Sequence, residues 1–337
     1  MREVIGQRRL LERLTARALR GDVAHAYGLF GPRSLGKRTV ALRLAQTLNC
    51  AAGVAGGCGT CLSCRKIERG IHPDVRLVAR AADKKDIAIE QIREMQADLA
   101  LRPLEGARRV VIVDDAAELN QYGQDALLKT LEEPPAHAVL LLITTTPSAL
   151  HETIRSRVQP LQFRLVPTAE IASGLAARGV KGADALAAAA AGRPGVAIAL
   201  AAGDAIRAER ERVEAELYRL MGSGLTDRFA WAAEMNELPD DAEHGRRRSR
   251  EIALRLEHWS ELLRDATVAA RGELLRPTRP ARAAETQRLA SSVPANDLLA
   301  VALLVERFRR DLDFNANARA MLELFALRLP YAPVKAS

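Results

Sequence analysis

The sequence predicts an α/β domain built on a parallel sheet, followed by a small helical segment and an all-α region. Three observations carry this expectation. Over the first 165 residues, short apolar runs suited to buried strands alternate with stretches of helical period. Near Pro160 to Thr168 the strand-like runs stop. Beyond that point the chain is Ala-rich and then passes into long stretches with apolar residues three and four apart.

Taken in order, "IGQRRLLERLTARAL" has apolar residues at helical spacing. "HAYGLF" is a short strand ending at a Gly-rich loop, and "KRTVALRLAQTLN" is the helix behind it, with Val40, Leu44 and Leu48 on one stripe. Further strands are expected at "DVRLVA", "RRVVIVD" and "AVLLLITTT", with helices near "IAIEQIREMQADLA" and "QYGQDALLKTLEE". In such sheets ligands sit at the carboxyl ends of the strands, where the Gly-rich loop falls. Residues 166–204 read as a small helical domain rather than a low-complexity linker, because Ala favours helix and the Leu and Ile residues give it something to bury. From 205 to 337 the chain reads as longer helices, with Leu322, Phe325 and Leu329 forming one stripe. The expected domains are therefore 1–165, 166–204 and 205–337. The "GRRRSR" run, Gly245 to Arg250, reads as a solvated loop or helix start, with a DNA contact as the alternative.

Composition narrows the function classes. At 48% hydrophobic and 27% charged, the chain can build cores and is not disordered as a whole. Only 4% of its residues are aromatic, which argues against a surface that stacks many unpaired bases. A net charge of +8 suits a polyanion partner without choosing DNA over RNA or membrane phosphates, and an Arg-rich proteome would give the same number. The stretch "MREVIGQRRLLERL" is charged throughout and has no apolar core, so no signal peptide is expected. The longest strongly apolar run, "AVLLLI", is far too short to span a bilayer. No membrane partner and a cytoplasmic location are expected.

Four constellations bear on chemistry. The first is "GPRSLGKRT", Gly31 to Thr39, which begins as a phosphate-binding loop: Gly31, four residues, then Gly36 and Lys37. Backbone N–H groups of such a turn attract phosphate oxygens, and Lys37 would reach the β/γ-phosphates. The next position should be Ser or Thr, whose hydroxyl binds Mg²⁺; here it is Arg38. Thr39 does not repair the loss, because one residue along a helix turns the side chain by about 100°. ATP binding by this chain is therefore doubtful, and hydrolysis more so.

The second is "RRVVIVDDAAELN", an apolar strand ending in Asp114 and Asp115. Asp114 is placed to hold Mg²⁺ through water and Asp115 to polarise the attacking water. Such sites usually have Glu second, and Asp is one methylene shorter; a displacement of about an ångström can cost roughly 100-fold in rate. The alternative is that both acids cap the helix that follows.

The third is Cys50-x7-Cys58-x2-Cys61-x2-Cys64, which holds all four cysteines of the chain. Clustered this way in a reducing cytosol they read as a metal site rather than a disulfide frame. Four thiolates complete a tetrahedral Zn²⁺ site with no open position, so the zinc would be structural. Buried free thiols and a redox CxxC are the weaker alternatives. The fourth is "TIRSRV", with Arg157 at the edge of the α/β domain, where a guanidinium either stays in solvent or reaches a neighbouring subunit's γ-phosphate.

Together and in this order, these residues resemble the clamp-loader branch of AAA+ proteins over nearly the whole chain. "IGQ", "HAYGLFGPRSLGKRT" and "LNC" with its cysteine knuckle at 50–64 are similar to the N-terminal half of that family. "LLKTLEEPPAHAVLLLITTTPSALHETIRSR" resembles its most recognisable segment, in which Arg157 is kept and Val158 replaces a Cys. "DFNANARAMLELFALRL" resembles its last collar helices. The resemblance implies an AAA+ P-loop domain, a helical lid and an oligomerising collar. Within the branch, Arg38, Asp115, "IHPDVRLV" and Gly195, where the motor carries a sensor-2 arginine, imply the non-hydrolysing stator rather than the ATP-hydrolysing motor. It further implies a bacterial DNA polymerase III complex, with gamma/tau and delta subunits as partners in a five-membered ring, a sliding clamp and primer-template DNA. Arg157 would serve ATP on the neighbour. The alternatives are a slow motor with an altered metal site, and a zinc-bearing DNA-binding module.

Overall fold

In a computed structural model of the chain, the described residues are 4–81, 84, 86–238, 247–272, 283–313 and 317–332. They fall into two compact units. The first comprises Met1–Ala183 and Gly192–Val196, the second Asp184–Ala191 and Ala197–Ser337.

The first unit is built on a five-stranded sheet: β1 (Ala26–Phe30), β2 (Val75–Val78), β3 (Arg109–Val113), β4 (Ala138–Thr144) and β5 (Gln159–Gln162), in the order β2-β3-β4-β1-β5. Every pairing is parallel. Helices α1 (Arg8–Leu19), α2 (Lys37–Asn49), α3 (Leu62–Arg69), α4 (Ile89–Ala100), α5 (Gln121–Glu132), α6 (Glu152–Arg155) and α7 (Thr168–Ala176) connect and cover it. Side chains of a strand alternate between its faces, and both faces are buried here. Tyr27, Leu29, Val110, Ile112, Val139 and Leu141 share one cluster with Val40 and Leu44 of α2. Phe30, Val111, Val113, Leu140 and Leu142 share the other with Ile92 of α4 and Leu127 of α5. Burial on both sides is why the central strands read as unbroken apolar runs.

One strand departs from the sequence expectation. β5, "QPLQ", lies where strand-like runs were expected to have stopped. It is an edge strand, paired only with β1, with Tyr27 opposite Gln159 and Gly28 opposite Pro160. At an edge, a proline's missing N–H costs no ladder bond, so no apolar run is required.

In the second unit, α8 (Ala183–Ala189) and α9 (Pro194–Ala201) lead into α10 (Asp204–Gly222), α11 (Leu225–Glu237), α12 (Arg247–Ala270), α13 (Ala283–Ser292), α14 (Ala295–Asp313) and α15 (Ala318–Arg328); the chain changes unit within α8 and α9. Its core stacks Trp259 on Phe325 at 5.0 Å and sets Trp231 against both. Leu322, Phe325 and Leu329 are all buried in it, as their spacing predicts. Arg228 is buried too, donating to the carbonyls of Leu220, Met221 and Leu329 at the ends of α10 and α15. Of the "GRRRSR" run, Gly245 and Arg246 lie outside the described residues and Arg247 begins α12; Phe314, Asn315 and Ala316 of the collar-like stretch also lie outside them. Among the described residues no single helix is long and apolar enough to cross a membrane.

Candidate functional site

Both sequence-predicted sites of the N-terminal region hang on α2. Its first residue is Lys37, behind the loop Gly31–Gly36, and its C-cap is Cys50. The helix is positioned by Val40, Ala41, Leu44 and Ala45, which pack on the sheet at 0–1% exposure and fix both ends.

The loop follows β1, as the strand–loop–helix reading requires. A cavity of about 450 Å³ opens beside it, lined among others by Arg33, Lys37, Arg38, Asp114, Asp115 and Gly195. Gly31, Gly36, Lys37 and Asp114 are thus brought to one place. Lys37 is buried and points back into its own loop, donating from Nζ to Gly31 O at 2.5 Å and Pro32 O at 2.7 Å. Burial pulls its ammonium down to about 8, against the attraction of Asp115. Arg38 extends to Asp114, Nη1 to Oδ2 at 3.5 Å. Burial raises the Asp114 carboxyl above its usual value, opposed by Arg38. Thr39 is exposed and absent from the lining residues, so it supplies no hydroxyl there.

Asp115 does not act as a helix cap. It precedes the single 3₁₀ turn Ala116–Glu118 with φ 61 and no side-chain cap bond. Its carboxylate instead accepts from Arg33 at 2.7 Å. Sequence reasoning missed Arg33, which occupies a variable position of the loop where spacing carries no preference. It also missed Arg80 and Glu118, ion-paired at 2.9 Å in the same lining. Gly195, singled out for lacking a cation, makes a backbone contact instead: its N–H donates to Ser34 O at 2.8 Å.

At the other end of α2, the four cysteine sulfurs lie within 4.8 Å of one another, so these residues could hold a metal ion. A tetrahedral zinc site with Zn–S of about 2.3 Å spaces its sulfurs about 3.8 Å apart, which this cluster accommodates. The donor chemistry also fits. Backbone N–H groups of Cys58, Cys61 and Cys64 point at the sulfurs of Cys50, Cys58 and Cys61 at 3.3–3.4 Å. With the Thr60 hydroxyl, such donors pull the Cys58 thiol down to about 5, whereas burial pushes Cys64 up to about 12. Metal uptake must therefore displace the Cys64 proton. Gly57 is required where it stands: its φ is +79, and a Cβ there would lie 2.6 Å from Gln46 Cβ and 3.0 Å from Cys64 Sγ. Gln46, on α2, donates to Cys64 O at 3.1 Å and ties the knuckle to the helix.

Arg157 is elsewhere. It follows α6, and its guanidinium bonds Thr153 O and Glu132 Oε1, each at 2.9 Å. Its side chain is 36% exposed and does not line the loop cavity of its own chain. The neighbouring Val158 is buried against β1.

The chain is similar to several known proteins. The family described as DNA polymerase III, delta subunit, matches residues 6–167. Over 164 residues the chain is 40% identical to the DNA polymerase III subunit tau of Salmonella typhimurium LT2, covering 48% of this chain and 25% of that protein. Over 139 residues it is 40% identical to the DNA polymerase III subunit delta' of Pseudomonas aeruginosa PAO1, covering 41% of this chain and 42% of that protein. The chain thus spans less than half the length of either relative. Among solved structures, a DNA polymerase III gamma subunit-related protein from Thermotoga maritima aligns at 18% identity over 94% of this chain and 97% of that one, with a TM-score of 0.43. That superposition is too loose to bear on the site.

Proposed function

We propose, from the premise that residues 6–167 belong to the DNA polymerase III clamp-loader subunit family, that the chain is the delta prime kind of subunit: a stator that does not hydrolyse ATP itself. Sequence identity does not choose between delta prime and gamma/tau, since both kinds of relative match at 40%. The phosphate loop is the observation that favours the stator. Arg38 stands where a magnesium-binding hydroxyl belongs, and it pairs with Asp114, the acid that would hold the ion. A guanidinium carries five donors and no lone pair to give a metal. Loss of the Mg²⁺ site removes the charge neutralisation on which phosphoryl transfer depends.

In this reading the domains are those expected from the sequence: 1–165, a lid at 166–204 and a collar at 205–337. Cys50, Cys58, Cys61 and Cys64 hold a structural zinc. The protein works in the bacterial cytoplasm with gamma/tau and delta subunits, a sliding clamp and primed DNA. Arg157 supplies positive charge to ATP on the neighbouring subunit. Its side chain is partly exposed, paired with Glu132 and bonded back to the Thr153 carbonyl of α6, and it would exchange these partners for the neighbour's phosphate.

The test is reconstitution with gamma/tau and delta. Unmodified chain should co-purify in a five-membered ring, and Arg157→Ala should assemble equally while losing about 10³-fold or more of the rate at the site it serves. Unchanged ATP turnover and clamp loading by the variant would reject the finger. The rival zinc-bearing DNA-binding module predicts tight binding of DNA by the isolated chain, falling steeply between low and moderate salt.

A further inference from the structure

We propose that Arg33 is a second, independent determinant excluding magnesium-bound nucleotide, and that the chain holds its own phosphate loop shut. The proposal rests on the stator reading and gives that reading a mechanism the sequence did not contain. β3 delivers two carboxylates to the cavity, and the loop and the helix behind it meet each with an arginine: Arg38 with Asp114 at 3.5 Å and Arg33 with Asp115 at 2.7 Å. The Arg33 pair ties the loop directly to the second residue after β3. Substrate phosphates and their metal would have to enter between those two elements. Asp115 sits there in the left-handed region, φ 61, which aspartate tolerates better than most non-glycine residues.

Two further contacts close the loop from inside and from its tip. Lys37 spends its ammonium on the carbonyls of Gly31 and Pro32. Ser34, itself at φ 64, accepts the Gly195 N–H, and a Cβ on Gly195 would lie 3.0 Å from Ser34 O and 3.1 Å from Ser34 Cβ. Residue 195 is thus a close backbone contact on the loop, and glycine is the residue that fits without displacing it.

It follows that restoring the missing hydroxyl is not enough. Arg38→Thr frees Asp114 but leaves the Arg33 bar in place. The experiment titrates a fluorescent ATP analogue into the zinc-loaded full chain and into Arg38→Thr, Arg33→Ala and the double variant, with Mg²⁺ and with EDTA. Thermal unfolding confirms that each is folded; Arg33 and Arg38 are both more than half exposed, so neither substitution opens a core. Arg38→Thr should stay within about 3-fold of the unmodified chain and the double variant should bind at least about 10-fold tighter. That gain should vanish in EDTA, because it depends on carboxylates released to the metal rather than on removal of bulk. Arg38→Thr matching the double variant would overturn the role of Arg33. So would a double variant that binds no better than the unmodified chain, or a gain that survives EDTA. None of these results touches the Arg157 experiment, so a failed lock and a failed stator are told apart.

Discussion

The two ends of α2 make opposite use of similar material. At the C-terminal end, four thiols converge with N–H donors on three sulfurs, a donor set arranged for a guest ion. At the N-terminal end, a loop of the type that receives phosphate has its lysine, its two acids and its tip bound within the chain. One helix therefore carries, at one end, donors that converge on a common point and, at the other, a loop whose charged groups are paired with one another. A motif's presence and a motif's availability are separate facts. Spacing reports the first, whereas the second depends on what distant segments bring to the motif.

Metal removal should break the comparison most severely. Chelation, or Cys64→Ser, should cost the first unit several kcal/mol of stability, toward the ~10–16 kcal/mol reached by small zinc modules, and should abolish one equivalent of bound zinc in metal analysis. Gly57→Ala should do less. It places a methyl against Cys64 Sγ at a backbone angle alanine resists, and zinc affinity measured by chelator competition should fall by roughly 10- to 100-fold, as for other supporting residues of metal sites.

The closed end should respond more gently. Burial has pulled Lys37 to about 8 from its ordinary 10.5, so the folded chain gives up this proton before the unfolded chain does. Between those values the unfolded state binds more protons, and folding stability must rise with pH. In denaturant titrations at pH 8 and pH 10, the unmodified chain should gain stability relative to Lys37→Met; parallel curves would mean that Lys37 is not buried as described. Smallest of all, Gly195→Ala should cost about 1 kcal/mol, since Ser34 has to shift by only a few tenths of an ångström. A variant as stable as the unmodified chain would place Gly195 away from the loop.

Legibility in the sequence follows the same division. Strands β1, β3 and β4 could be read because both of their faces are buried, which forces apolar runs; β2, an edge strand with Leu77 exposed, was legible from Val75, Leu77 and Val78, whereas the edge strand β5, with Pro160, carries a single apolar aliphatic, Leu161. The cysteine set was complete in its spacing. The loop's defect at Arg38 was visible as well, being a one-residue departure from a pattern. Its partners were not: Asp115 lies 82 residues from Arg33, and the Gly195 contact is a backbone bond that no side-chain pattern announces. The reading of Asp114 and Asp115 as helix caps stayed open until the absence of a cap bond at Asp115 and the two arginine pairs closed it.

The central claim is that this chain does not turn over ATP on its own. Steady-state hydrolysis by the isolated, zinc-loaded protein with Mg²⁺ and primed DNA tests it most directly, with Lys37→Ala as the control. The account predicts a rate at background that the substitution leaves unchanged. A robust, DNA-stimulated rate abolished by Lys37→Ala would contradict it.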